Sequence, residues 1–395
     1  MSLSRIAREV KTSATLAITA KAKQMKAKGI DVISFGAGEP DFDTPTNVKN
    51  AAIKAINDGH TKYTPTSGTP ALKEAICEKL LKDNQLEYTP SQIIVSAGAK
   101  QSILNIVLVL CDKGDEAIIP APYWVSYPEM VTMAGATPVF LKTTDKENFK
   151  LTKESLAKVI TPKSKVLFMN SPSNPTGMVY TEKELKEIIG FAVGKGLYVI
   201  SDEIYEKIVY DEAQHFSPAY ISEECYKKVI TINGFSKVYS MTGWRLGYAA
   251  GTEEIIKAAT NIQDHTTSGA NSITQMAGIE ALKGNQDAVS MMVREFNKRR
   301  KYMVTRLNNI KGVSCVLPKG AFYAFPKVSD LWGKKLGGQT VTNSFDLANI
   351  LLDKAHIAVI PGEPFGADDY IRLSYATSME NIEKGIDRLE KFLCD

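Results

Sequence analysis

Short apolar runs alternate along the chain with stretches of helical character. The runs 93–96, 117–120, 137–141, 166–170, 198–201, 229–233 and 246–250 are β-rich, and most end in polar, Gly or Pro residues. Runs of this kind read as strands buried on both faces. Residues 47–57, 70–82, 101–111 and 126–134 read as helices between them. Such alternation predicts an α/β domain built on a mostly parallel sheet. Near residue 285 the pattern changes. A charged helix over 291–308 is followed by expected strands at 313–317 and 321–325, a helix at 344–355, strands at 357–360 and 370–375, and a last helix from 378. This predicts a smaller α+β domain. The expected division is a large domain over 45–285 and a small one joining 1–44 to 286–395.

The N-terminus sharpens that picture. Residues 10–30 hold five lysines and no acid, but the apolar centre of a secretory signal is missing. Leu16, Ala20, Lys23 and Ala27 fall on helical spacing, which predicts an amphipathic structural helix.

With 44% hydrophobic and 23% charged residues in 395, the composition is that of a globular chain. It excludes collagenous, disordered and disulfide-framework classes, and the length calls for more than one core. A formal charge of +4 is no footprint for nucleic acid or membranes, so neither is expected as a partner. Anionic substrates would have to be caught by local pockets. The five cysteines are never closer than 34 positions, which excludes CxxC redox or metal spacing and predicts buried, reduced thiols. No metal site is expected. No apolar stretch is long enough to span a bilayer, and a cytoplasmic location is expected.

In open α/β sheets, ligands sit beyond the carboxyl ends of the strands. Those places here are 96–100, 170–177, 201–205 and 233–237. They hold Gly98-Ala99-Lys100 opening a helix, Asn174 in a turn, Asp202 with Tyr205, and Ser236-Lys237 followed by Arg245. Each alone has an ordinary structural reading as a turn, a helix cap or a solvated charge. Together, a lysine, a carboxylate, an amide, a phenol and an arginine suit a phosphorylated pyridine aldehyde. The lysine binds the aldehyde, the carboxylate keeps the ring nitrogen protonated, and the arginine with a helix N-terminus takes the phosphate. No G-x-G-x-x-G, P-loop or HExxH motif competes.

The segment Gly234-Phe-Ser-Lys237-Val-Tyr-Ser-Met-Thr-Gly-Trp-Arg245-Leu-Gly247 resembles the pyridoxal-phosphate attachment signature of class I aminotransferases. Ser171-Pro-Ser-Asn174-Pro-Thr-Gly, Ser201-Asp202-Glu-Ile-Tyr205, Gly36-Ala-Gly38-Glu-Pro-Asp, Lys62-Tyr63-Thr-Pro, Tyr123-Trp124-Val-Ser-Tyr-Pro and Arg372-Leu-Ser-Tyr are similar to further segments of that family. The likeness covers nearly the whole chain and is greatest to the bacterial-type aspartate aminotransferases.

The resemblance implies a pyridoxal-phosphate-dependent transferase of fold type I, working as a homodimer on dicarboxylate amino and keto acids. It implies that Lys237 attaches the cofactor and later moves the substrate α-proton. It assigns Asp202 to the pyridine nitrogen, Asn174 and Tyr205 to the ring oxygen, and Trp124 to the ring face. Gly98, Ala99, Lys100, Ser236 and Arg245 would hold the phosphate end, with Tyr63 reaching it from the neighbouring subunit. Arg372 would bind the substrate α-carboxylate, with Gly38, Asn174 and Trp124 beside it. No arginine lies between Arg245 and Arg294 to take a distal carboxylate, as some relatives do from the partner subunit. In the bacterial-type branch Lys100 does this work, and Lys11 either assists with Ser13 and Thr15 or is a solvated charge. The implied reaction is ping-pong transamination between aspartate and 2-oxoglutarate. Prephenate as a further substrate, and a preference for aromatic, alanine or kynurenine-type donors, are the alternatives.

Overall fold

The computed structural model describes residues 3–11 and 14–394. A seven-stranded sheet is built from β1 (Ile93–Ser96), β2 (Glu116–Ala121), β3 (Thr137–Lys142), β4 (Ser164–Asn170), β5 (Tyr198–Asp202), β6 (Val229–Gly234) and β7 (Gly247–Ala250). Across the sheet the order is β1-β7-β6-β5-β4-β2-β3, and β7 alone runs against the other six.

Alternate residues of β1, β2, β4, β5, β6 and β7 enter different cores, whereas the edge strand β3 buries one face only and leaves Phe140 exposed. Val95, Ile118, Leu167 and Val199 meet the helices Pro70–Asn84, Glu182–Gly194 and Ser272–Lys283 on one face. Ile94, Ile119, Phe168 and Ile200 meet Ala99–Leu110, Tyr127–Met133 and Glu253–Asp264 on the other. Both faces of those six strands are therefore dry, which is why they read as continuous apolar runs.

A third core gathers the C-terminal part. The 22-residue helix Asp287–Asn308 packs on a three-stranded antiparallel sheet of Ile360–Pro361, Ile371–Ser374 and Tyr323–Ala324, and the helix Met379–Cys394 packs beside it against Ile33–Ser34 and Ile357–Ala358. The N-terminal segment joins this body. Ile33–Ser34 pairs in parallel with Ile357–Ala358, and Phe35 is fully buried. The helix Ala14–Ala27 forms as expected, but its buried face carries Ile18 and Ala22 with Met25 partly buried, while Ala20, Lys23 and Ala27 are exposed. The longer side chains of Ile18 and Met25 bury more area than alanines do, and they set the rotation.

Three expectations for this part need correction. Residues 313–317 form no strand beyond one bridge from Ser314 to Lys327. The backbone of Cys315 is instead tied to the side chain of Asn308, its N–H donating over 2.7 Å and its carbonyl accepting over 3.1 Å. The strand expected at 321–325 shrinks to Tyr323–Ala324. The run 357–360 splits between two sheets, Ile357–Ala358 in one and Ile360–Pro361 in the other. No helix among the described residues is long and apolar enough to cross a membrane.

Candidate active site

A cavity of about 580 Å³ opens at the carboxyl edge of the large sheet, against the C-terminal body and the N-terminal segment. At its floor lies Asp202, the last residue of β5, which is 5% exposed. Its Oδ2 accepts a hydrogen bond from the Tyr127 hydroxyl at 2.6 Å, and its Oδ1 accepts from the Ile204 N–H at 3.2 Å. Burial raises its carboxyl from 3.8 to about 6, although the hydrogen bonds and Lys237 pull the other way. The neighbouring β4 ends in Asn170, whose amide donates to the Asp202 carbonyl at 3.0 Å and whose Oδ1 accepts from the Asn174 N–H at 2.8 Å. One asparagine thus fixes the turn that carries the other.

Arg372 comes from the small antiparallel sheet and is 4% exposed. Its guanidinium donates to Asn174 Oδ1 at 3.1 Å and to the Gly36 carbonyl at 3.0 Å, while Nε has no partner. The Tyr323 ring lies 4.5 Å from the guanidinium carbon, a cation–π distance. The Tyr323 hydroxyl is 2.9 Å from that of Tyr205. Burial pushes Arg372 below its ordinary value, and no carboxylate touches it among the described residues.

Lys237 follows β6 and donates to the Gly38 carbonyl. It keeps some solvent contact, yet the surrounding protein lowers it from 10.5 to about 8, with the charges of Arg372 and Arg245 adding to desolvation. Arg245 precedes β7. Because that strand runs backwards, Arg245 arrives at the same edge as residues that follow β1, β5 and β6. It donates to the Thr242 carbonyl at 2.8 Å and faces Gly98, which caps the helix Ala99–Leu110 with φ +91°. A Cβ at Gly98 would stand 2.5 Å from the Arg245 guanidinium, so glycine is what lets the arginine sit over the helix N-terminus. Free backbone N–H groups at such an end and an adjacent guanidinium suit a phosphate. Lys100 extends over the Trp124 ring at 5.0 Å, and burial of its stem lowers its pKa.

Asp202, Tyr205, Asn174, Lys237, Ser236, Arg245, Arg372, Gly38, Ala99, Lys100 and Trp124 all line the cavity, and Gly98 abuts it through Arg245. Two other expected residues lie elsewhere in the isolated chain. Tyr63 is 96% exposed and away from the cavity wall. Lys11 is exposed outside it, its backbone N–H donating to Glu129 at 3.0 Å. Ser13 and the side chain of Thr15 lie outside the described residues. Sequence reasoning missed Tyr127 and Tyr323, both buried aromatics whose hydroxyls have partners only across the fold. It also missed Lys23 and Lys26, which reach the cavity wall from the N-terminal helix.

Comparison with known proteins agrees with this geometry. Residues 30–389 match the family model for aminotransferase class I and II. An aspartate aminotransferase of Bacillus sp. (strain YM-2) is 51% identical over 98% of this chain and 99% of its own. A probable aspartate/prephenate aminotransferase of Aquifex aeolicus is 47% identical over 97% of this chain and 96% of its own. The crystal structure of the Rhizobium meliloti aspartate aminotransferase superposes with a TM-score of 0.96 at 40% identity, covering 100% of this chain and 99% of that one. The mostly parallel sheet, the cavity at its edge and these full-length likenesses place the chain in the class I and II aminotransferase family.

Proposed function

We propose that the chain is a pyridoxal 5'-phosphate-dependent aspartate aminotransferase, moving the amino group of L-aspartate to 2-oxoglutarate in a ping-pong reaction. The observation that carries the reading is Arg372, a buried guanidinium with neutral partners, facing the same cavity as Lys237 and Asp202. A buried cation without a counter-charge is costly, and a substrate carboxylate is the group that relieves the cost. Two of its N–H groups in one plane match a carboxylate as a fork.

The donor set fits the cofactor. Asp202 is acceptor-only when ionised and sits where a protonated pyridine nitrogen would offset its buried charge. Arg245, Gly98 and the N-terminus of Ala99–Leu110 form a phosphate cradle. Lys237 is lowered from 10.5 to about 8, so the free amine is about a tenth of the population at pH 7 and far more than an ordinary lysine offers. When bound, the cofactor supplies an aldehyde carbon for the amine and a protonated ring that withdraws electrons from the substrate α-carbon.

The chain's own groups do the rest. Arg372 orients the substrate so that its α-hydrogen faces Lys237. With the cofactor bound, the Lys237 amine would take the proton from the substrate α-carbon and pass it to the cofactor. Asn174 and Tyr205 would donate to the ring oxygen, and Trp124 would pack on the ring. Lys100, with Lys11, Ser13 and Thr15 brought in from the N-terminal segment, takes the distal carboxylate. The body over 1–44 and 286–395 closes on the one over 45–285 and excludes water.

We place Tyr63 in the neighbouring subunit's phosphate site, which makes the working unit a homodimer. Its 96% exposure, with Ile53 and Ile56 also exposed on a nearby helix, supports that assignment. We read the enzyme as cytoplasmic. Prephenate stands as a second amino acceptor, because a 47% identical relative is named for it.

An amino-donor panel read by cofactor absorbance in single half-reactions tests the reading. Aspartate and glutamate should react far faster than alanine, phenylalanine or kynurenine; a strong preference for an uncharged side chain overturns it. Lys237→Ala should lose covalent attachment and turnover together.

A further inference from the structure

The cavity wall carries more positive charge than the proposed reaction uses. Lys23, Lys26, Lys100, Lys237, Arg245 and Arg372 line it against two acids, Glu39 and Asp202. Arg245 answers the phosphate, Arg372 the α-carboxylate and Lys100 the distal carboxylate, while Lys237 is the reacting amine. Lys23 and Lys26 are left without a role.

Their placement is specific. On the helix Ala14–Ala27, the residues facing the cavity are Thr19, Ala22, Lys23 and Lys26, a single stripe at helical spacing. Both lysines are exposed, and neither is in an ion pair among the described residues, whereas Lys21 on the same helix pairs with Asp353 at 2.8 Å. Like charges three residues apart on a helix repel each other. Their position near the helix C-terminus suits cations, which accounts for the residue type but not for the face they occupy.

Resting on the reading above, we propose that Lys23 and Lys26 form a cationic lip that captures dicarboxylates at the cavity mouth and favours substrates with a second carboxylate. The lip raises the local concentration of dianions and adds a contact that monocarboxylates engage less. It acts on binding, not on proton transfer. Because both side chains are exposed, the effect is screened as ionic strength rises.

The test measures equilibrium binding of succinate, an unreactive dicarboxylate, to the pyridoxal-phosphate-loaded enzyme by calorimetry. Lys23→Gln with Lys26→Gln keeps good helix formers at both sites. The dissociation constant for succinate should weaken about tenfold at low salt, and the gap should close toward half-molar salt. Lys23→Glu should weaken it further. In half-reactions the loss with aspartate should exceed the loss with alanine by a similar factor. Unchanged succinate binding at low salt, or equal losses for aspartate and alanine, overturns the lip. Succinate binding is read without turnover, so a failure of the lip is distinguishable from a failure of the aminotransferase reading.

Discussion

Asp202 offers a test of how far the site is built against the stability of its own fold. Its carboxyl is raised from 3.8 to about 6, mainly by burial. A group raised by roughly two units costs the folded state about 3 kcal/mol once the pH exceeds both values. The sign follows from which state holds the proton. Below about pH 4 both states are protonated and there is no penalty. Between about 4 and 6 the unfolded chain ionises first, so stability falls as pH rises, and above about 6 the penalty is constant. In Asp202→Asn that titration is gone, although its amide leaves one hydrogen unpaired beside Ile204 or Tyr127, at a pH-independent cost of about 1 kcal/mol. Urea unfolding of the cofactor-free protein at matched concentration should therefore show the variant gaining on the wild type from about pH 4 to 6. The total gain should be about 2–3 kcal/mol, with a plateau above. A difference that is flat with pH, or that falls, would refute the buried-carboxylate argument. Loading the cofactor should reverse the order, because a protonated ring beside Asp202 offsets the charge that the variant lacks.

The remaining predictions concern single contacts. Gly98→Ala places a Cβ 2.5 Å from the Arg245 guanidinium at a residue with φ +91°, so cofactor affinity should fall at least tenfold by equilibrium dialysis, with a stability loss of about 1 kcal/mol. Arg372→Lys keeps the charge but loses the planar fork, so kcat/KM should drop at least a hundredfold for every amino acid while covalent cofactor absorbance stays. The rate at which cofactor-free protein takes up pyridoxal phosphate should rise with pH and level off near about 8, where Lys237 loses its proton; a rate still climbing at pH 10 would contradict the depressed lysine. Tyr127→Phe removes a 2.6 Å donor to Asp202 and should move the midpoint of the Asp202 stability curve upward by about one unit.

Much of the candidate site was legible because its residues lie at strand ends or just beyond them. Asn174 and Lys237 follow parallel strands and Asp202 ends one, and those positions could be inferred from apolar runs alone. Arg245 precedes its strand and was read only as following Lys237 beyond β6, since nothing in a four-residue run tells that β7 runs backwards and brings Arg245 to the same edge. Tyr127 and Tyr323 were illegible for another reason. Each looks like core, and its function is a hydroxyl bond to a residue 75 or 118 positions away. Lys23 and Lys26 were hidden by a rotation error, because spacing alone placed Lys23 on the buried face. In the C-terminal body the expected strand at 313–317 failed where the side chain of Asn308 took the backbone bonds.

Buried charge separates site from scaffold only when partners are compared. Arg299, Arg300 and Arg372 are all below 10% exposed, and in sequence nothing ranks them. Arg299 meets Asp41 at 2.8 Å and Glu295 at 3.1 Å, and Arg300 meets Asp211 at 2.5 Å. Lys79 is likewise paired with Glu206. These pairs are closed, so removing one member leaves a buried charge and costs folding. Arg372 has an amide oxygen, a carbonyl and a ring, and Lys237 a carbonyl, while Asp202 has a phenol and a backbone N–H. Such neutral partners hold each charged group in place without cancelling it. In the proposed reading the missing counter-charges are a carboxylate for Arg372 and a cation for Asp202, which an amino acid and a protonated pyridine ring would bring. On that reading, affinity for both ligands would be drawn from electrostatic strain that the folded chain already carries, and relieving it would stabilise the ligand-bound fold.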